Sequence, residues 1–212
     1  SILMAGKVGD IPPAVKERLE KINKHSDSLV KLINDLLDIS RIEAGRLEMN
    51  LENKAVSSVV ESVQDLLGPQ VKEKNIHWVT RIPEDMPRVP MDAGQIERVI
   101  INLVSNAVKF TPPEGTISIS AQHNKKEITV TVSDTGIGIT EENIPKVFDE
   151  FYRVDNPVNQ DMKGTGLGLA LVKKIIEAHG GQIWVTSKPK EGALFSFTLP
   201  LDQKPAPPPA AI

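Results

Sequence analysis

Asn102, Asn106 and Lys109 stand four and three residues apart in the stretch Asn102-Leu103-Val104-Ser105-Asn106-Ala107-Val108-Lys109-Phe110. Val99, Ile100, Leu103, Val104 and Ala107 recur at helical spacing, so the stretch reads as a helix with one apolar face. On that helix the two carboxamides and the ammonium project from one side. Carboxamide oxygens and an ammonium can contact a metal ion and its phosphates. The same pattern also fits a solvated polar face, so neighbouring residues must decide between the two.

Three further clusters lie downstream within about seventy residues. Asp134-Thr135-Gly136-Ile137-Gly138 leaves the end of a predicted strand. A carboxylate there can accept a hydrogen bond from an exocyclic amine such as adenine N6, and the glycines let the backbone turn beside a flat ring. Asp and Gly are equally common in ordinary turns. Val147-Phe148-Asp149-Glu150-Phe151-Tyr152-Arg153 holds three of the six Phe and Tyr residues. Phe148 is read as a core plug, while Arg153 can reach a terminal phosphate or lie in solvent. Gly164-Thr165-Gly166-Leu167-Gly168 opens a helix, where free N–H groups and close backbone approach make an anion site. Its spacing is neither that of a Rossmann fingerprint nor that of a P-loop. Metal, adenine and phosphate functions are each represented, which together point to a nucleotide site.

The elements that must position these groups are visible around them. A long helix runs from Pro12-Pro13, with Asp10 as a possible cap, to about Ala44, and Gly45 stops it. Val15, Ile22, Leu29 and Leu36 repeat every seven residues beside Leu19, Ser26, Ile33 and Ser40, with Leu32, Ile39 and Ile42 widening the stripe. This is a heptad seam suited to a bundle or dimer. Residues 57–74 read as an amphipathic helix that Pro69 should kink or break. Residues 76–82 read as a strand, and Pro83, Pro87 and Pro90 mark an extended connector. Asp92-Ala93-Gly94-Gln95 forms a capping box before the asparagine helix. Residues 117–121 and 128–132 alternate strictly and make a hairpin through His123-Asn124-Lys125-Lys126. A helix over about 166–178 ends at Gly180-Gly181, and residues 183–187 and 193–199 form a last hairpin.

The division expected is 1–46 as a partial helical dimerisation region, 47–201 as an α+β catalytic domain and 202–212 as a Pro/Ala-rich tail. The α+β part is expected to be a two-layer sandwich, a mixed sheet with helices on one face. Bulk numbers restrict the alternatives. The 212 residues are 40% hydrophobic and 25% charged, with a formal charge of −3. There is no global electrostatic case for nucleic acid. Cysteine is absent, so disulfides and Cys-ligated zinc are excluded. No apolar run reaches membrane-spanning length. The opening at Ser1, without an initiator Met, is expected of a fragment of a longer protein, cytoplasmic as a domain, whose parent could be membrane-anchored.

The four clusters resemble the N, G1, F and G2 boxes of the sensor histidine kinases of two-component systems. Their ATP-binding domain has the GHKL fold shared with DNA gyrase, MutL and the heat-shock chaperone ATPases. Asp38-Ile39-Ser40-Arg41-Ile42-Glu43-Ala44-Gly45 resembles the end of the second dimerisation helix, and Glu177-Ala178-His179-Gly180-Gly181-Gln182-Ile183-Trp184 the last helix-to-strand turn. The resemblance implies ATP and Mg²⁺ as cofactors. Asn106 would ligate Mg²⁺, Lys109 would contact phosphate, and Asn102 would line the same site. Phe110 would pack near adenine, and Asp134 would bind its amine with support from Gly136 and Gly138. Gly164, Thr165, Gly166, Leu167 and Gly168 would belong to a lid over the phosphates, and Asn102, Lys109 and Arg153 would serve transfer. In the hydrolysing relatives the Asn102 position is a Glu acting as general base. An Asn cannot abstract a proton at neutral pH, which favours phosphoryl transfer over hydrolysis.

The family's phosphoacceptor box, of the form H-E-x-R-T-P-L, is absent from this chain. His25 lies on the long helix without the acid, Arg and Pro that follow such an acceptor, and reads as a surface or seam residue. His77 is placed in a strand, His123 in a hairpin turn, and His179 at a helix C-terminus that would stabilise its charge. The function implied is the catalytic portion of a histidine kinase. It would transfer the ATP γ-phosphoryl to a His on a dimerisation helix, for relay to a receiver-domain Asp. A nucleotide-binding regulatory module and a GHKL-type ATPase are the alternatives. The partners implied are a response regulator and a second kinase chain in a homodimer, with neither nucleic acid nor membrane contacted by this segment.

Overall fold

In the computed structural model, residues 12–46, 48–154 and 165–202 are described. The chain runs α1 (Pro13–Glu43), β1 (Glu52–Lys54), α2 (Val56–Glu73), β2 (His77–Arg81), β3 (Val89–Met91), α3 (Ala93–Phe110), β4 (Thr116–His123) and β5 (Glu127–Asp134). A short 3₁₀ turn at Ile144–Lys146, α4 (Gly168–Ala178), β6 (Ile183–Ser187) and β7 (Ala193–Pro200) complete it.

The main sheet has five strands in the order β2-β4-β5-β7-β6. β2 pairs parallel to β4, and every other pairing is antiparallel. Strict alternation sorts its faces. Ile117, Ile119, Ala121, Ile128, Val130, Val132, Phe197 and Leu199 are buried under α2, α3 and α4. The opposite face pairs hydroxyls, Ser118 with Ser133 at 2.7 Å and Thr131 with Ser196 at 2.9 Å. α3 lies at the centre of the helical layer and buries Ile96, Val99, Ile100, Leu103, Val104 and Ala107. Its stripe turns the opposite side, with Asn102, Asn106 and Lys109, away from the sheet. The expected sandwich is therefore present.

Several local expectations change. Asp92 caps α3, its Oδ1 accepting the Gln95 N–H at 3.1 Å. The residues from Pro83 to Pro90 are not all connector, because Val89–Met91 pairs antiparallel with Glu52–Lys54. Three-residue strands are too short to show a period, and proline is tolerated at such an edge. Pro69 neither breaks nor ends α2. It sits on the exposed side, where water can satisfy the carbonyl of Asp65 that loses its helical donor. His123 closes β4, and the turn is built by Asn124, whose Oδ1 accepts from the N–H groups of Lys126 and Glu127.

His179 reverses its expected character. It is 1% exposed, with Nδ1 2.8 Å from the Ile175 carbonyl and Nε2 accepting the Asp92 N–H at 3.1 Å. Those partners fit a neutral ring protonated at Nδ1. Burial pushes its pKa down, outweighing the Ile175 bond and the Asp92 charge. It pins the C-terminus of α4 to the N-terminus of α3. Asp10, Gly164 and nearly all of the Pro/Ala-rich tail lie outside the described residues.

Candidate functional site

The last turn of α3 is fixed from outside the helix. Lys74, just past α2, donates from Nζ to the carbonyls of Val108 at 2.6 Å and Lys109 at 3.1 Å. Burial pushes its pKa down. These bonds satisfy carbonyls that a helix C-terminus leaves open. They set the direction in which Lys109 and Phe110 leave the helix. Lys109 Nζ stands 4.6 Å from the Phe110 ring centroid. Burial first, and then the Arg153 guanidinium, pulls the Lys109 ammonium below its ordinary range. Two cations close enough to feel each other in a cavity wall make a place for an anion.

Asp134 ends β5 half-buried, its Oδ1 accepting the Gly136 N–H at 2.8 Å. Burial pushes its carboxyl up, opposed by N–H groups of Gly136 and Ala193. The turn after it has room for glycine only. A Cβ on Gly136 would lie 2.6 Å from the Phe110 carbonyl oxygen, and one on Gly138, at φ +71°, would lie 2.0 Å from that of Lys188. Gly166, at φ +75°, packs its backbone against Phe151. A Cβ on Gly168 would lie 3.0 Å from Asn102 Oδ1, while Asn102 Nδ2 donates to the Arg98 carbonyl at 3.0 Å. The side chain of Asn102 is thus held at Nδ2, with the backbone of Gly168 passing close to Oδ1.

These groups meet in one cavity of about 680 Å³. Asn102, Asn106, Lys109, Phe110, Asp134, Gly138, Arg153, Thr165, Gly166 and Gly168 all lie in its wall. Gly136 supports the wall from behind, and Leu167 is fully buried in the core. Phe148 meets Phe195 edge-on at 6.2 Å, which fits its reading as a core plug. Tyr152, also in the wall, donates to Asn143 Oδ1 at 2.6 Å.

The donor set fits a metal–nucleotide. Asn oxygens are hard ligands suited to Mg²⁺, which is commonly shared between protein oxygens and phosphates. Among the described residues no group of three or more His, Asp or Glu side chains could hold a metal by itself. A cation here would therefore depend on phosphate oxygens for part of its coordination.

One wall of the site comes from an element outside the four motif clusters. α1 forms the far side, contributing His25, Ser28, Leu29, Leu32 and Asp35. It is held by Arg98, which donates to Asp35 Oδ1 at 2.6 Å and to Asp38 Oδ2, and by Lys174, 2.8 Å from Glu43. Burial opposes the Arg98 charge, but Asp38 and Asp35 outweigh it and hold the guanidinium above its ordinary range. The sequence signal was a pair of acids three apart on one helix and an Arg one turn before Asn102. Neither stands out without the fold.

Residues 91–203, just over half the chain, match the family described as histidine kinase-, DNA gyrase B-, and HSP90-like ATPase. The chain belongs to this family. Relatives that it matches include sensor kinases. The adaptive-response sensory kinase SasA of Synechococcus sp. (strain JA-3-3Ab) is 35% identical over 201 residues, covering 94% of this chain and 53% of that protein. Full-length ShkA in complex with AMPPNP superposes with a TM-score of 0.79 at 26% identity, covering 94% of this chain and 42% of that one. Histidine kinase ThkA in complex with the response regulator TrrA shares the fold at a TM-score of 0.72 and 24% identity, covering 95% of this chain and 57% of that one. The chain spans between a fifth and about half of the length of the curated relatives it matches. The ATPase domain is thus of the sensor histidine kinase type, and among its described residues no helix is long and apolar enough to cross a membrane.

Proposed function

We propose that this domain binds ATP with Mg²⁺ and donates the γ-phosphoryl group to a histidine on a dimerisation helix outside the residues described. The observation that carries this reading is the convergence of Asn102, Asn106, Lys109, Asp134 and Arg153 on one cavity. Asp134 accepts from the adenine amine, and the glycine turn lets the ring lie against backbone. Asn106 ligates the cation with Asn102 beside it, and Lys109 and Arg153 hold phosphate oxygens. The cation supplies charge neutralisation along the phosphates.

In the transfer, an imidazole nitrogen forms a bond to the γ-phosphorus while the bond to the β–γ bridging oxygen breaks and ADP leaves. Phosphoryl transfer of this kind needs chiefly positioning and charge stabilisation. Asn102 has no basic group with which to activate water, so hydrolysis is disfavoured. The phosphohistidine would then be relayed to an aspartate of a response regulator. Pairing of two chains would use the exposed row of α1, where Val15, Ile22, Leu29 and Leu36 are 43–60% exposed.

The test is γ-³²P-ATP with this chain alone and mixed with a helix carrying an H-E-x-R-T-P-L box. Acid-labile label on the added helix is expected. Label on the chain alone at a nitrogen-linked phosphate would contradict the assignment of the acceptor. Steady phosphate release without an acceptor would favour the hydrolysing alternative.

A further inference from the structure

Among the described residues the cavity wall holds two carboxylates, Asp35 and Asp134. Asp134 belongs to the β5–β7 side, bonded to Gly136 and Ala193. Asp35 belongs to the asparagine side, because its partner Arg98 is also the residue whose carbonyl holds Asn102. Asp35 is 3% exposed. Its Oδ1 is taken by Arg98, and its Oδ2 has no hydrogen-bond partner among the described residues. That oxygen is not sealed off, because the buried side-chain polar atom left without a partner among the described residues is Thr111 Oγ1, and the cavity is the open space beside Asp35.

The α3 groups facing that space are neutral or positive. Asn102 and Asn106 bring oxygens without charge, and Lys109 brings a cation. Mg²⁺ on nucleotide phosphates keeps several waters and commonly takes one or two carboxylates as well. Among the described residues the asparagine side has one carboxylate to offer, and it comes from α1. We propose that Asp35 receives the divalent cation of a bound metal–nucleotide, hydrogen-bonding to the water shell of that cation through Oδ2. The inference rests on the nucleotide reading above. It makes α1 part of the metal site: with α1 docked the cation is shared between two helices, and without α1 it loses its protein carboxylate. It also assigns a cost. In the absence of a divalent ion, the Asp35 charge repels the triphosphate.

The experiment is calorimetric titration of AMPPNP into the full 212-residue chain, with Mg²⁺ and again in EDTA. The quantity read is the ratio of the two affinities. Asp35→Asn keeps the oxygen that accepts from Arg98 and removes the charge. It should lower that ratio by roughly tenfold or more, in the range found when metal-orienting groups are removed. In EDTA the variant should bind AMPPNP no more weakly than the wild type. Asp38→Asn perturbs the same Arg98 clasp from outside the cavity wall and should leave the ratio within about threefold. An unchanged ratio in Asp35→Asn, with normal binding by the wild type, overturns the cation assignment alone. Equal losses in the two variants overturn it as well, because the effect would then belong to the clasp. No AMPPNP binding by the wild type in either buffer would overturn the nucleotide reading and this inference together.

Discussion

Helices α1 and α3 are both apolar along one stripe, yet they are held in opposite ways. α3 has 18 residues and buries six apolar side chains against the sheet and its neighbouring helices. α1 has 31 residues, and Ile39 is its only fully buried apolar side chain among those described. Its heptad row faces solvent, while Leu32, Ile39 and Ile42 pack on the domain beside the Arg98 and Lys174 ion pairs. The stripe of α3 is satisfied inside this chain. Most of the stripe of α1 is left for something else, and polar clasps fix its place over the cavity. The candidate site groups divide in the same way: α3 carries the row of Asn102, Asn106 and Lys109, whereas α1 adds a wall held by ion pairs.

Truncating each stripe separates the two helices most sharply. Leu103→Ala, in α3, should cost about 2–5 kcal/mol in denaturant unfolding. Leu36→Ala, in the exposed row of α1, should change the stability of the monomer by less than about 0.5 kcal/mol. Equal losses would mean that α1 belongs to the same core. Next in size is Arg98→Ala. It leaves the buried Asp35 carboxylate without its donor and should cost about 1–3 kcal/mol. The loss should appear as faster amide exchange across α1, with α3 still protected.

Smaller effects come from titration. Folding holds the His179 pKa below its unfolded value near 6.5. The folded chain therefore binds fewer protons than the unfolded chain below that pH. Stability should be full above pH 6.5 and fall as the pH drops towards the folded value, by at most about 1.4 kcal/mol per pH unit. A variant His179→Gln should flatten that slope in unfolding curves. Asp134 has the opposite sign, because burial raises its folded pKa. Its contribution to stability is largest in acid and is lost as pH rises through the folded value. Asp134→Asn should therefore slightly raise the melting temperature of the unliganded protein at neutral pH.

Most of the sheet and the row on α3 were legible because their patterns are local. Ile117 to Ala121 and Ile128 to Val132 alternate without exception, and Asn102, Asn106 and Lys109 are neighbours on one helix turn after another. Contacts distant in sequence escaped. β1 and β3 pair across the intervening α2 and β2, with Glu52 opposite Met91 and Lys54 opposite Val89. The donor to His179 Nε2 is the Asp92 N–H, far back in the chain. The heptads of α1 showed a stripe but not which face would meet the domain. The docking residues Leu32, Asp35 and Ile39 lie to one side of both rows, and one of them is charged.

Under the proposed function, an adenine nucleotide in the cavity would place its amine on Asp134. Adenine presents an N6 donor where guanine presents an O6 acceptor, so the carboxylate should discriminate between them. The direct measurement is calorimetric titration of ATP and GTP, with Mg²⁺, into the wild type and Asp134→Asn. The wild type should prefer ATP by roughly tenfold or more, the variant should lose roughly 1–3 kcal/mol of ATP affinity, and its preference should collapse. Equal affinity of the wild type for the two nucleotides, or an unchanged ATP affinity in Asp134→Asn, would contradict the adenine assignment.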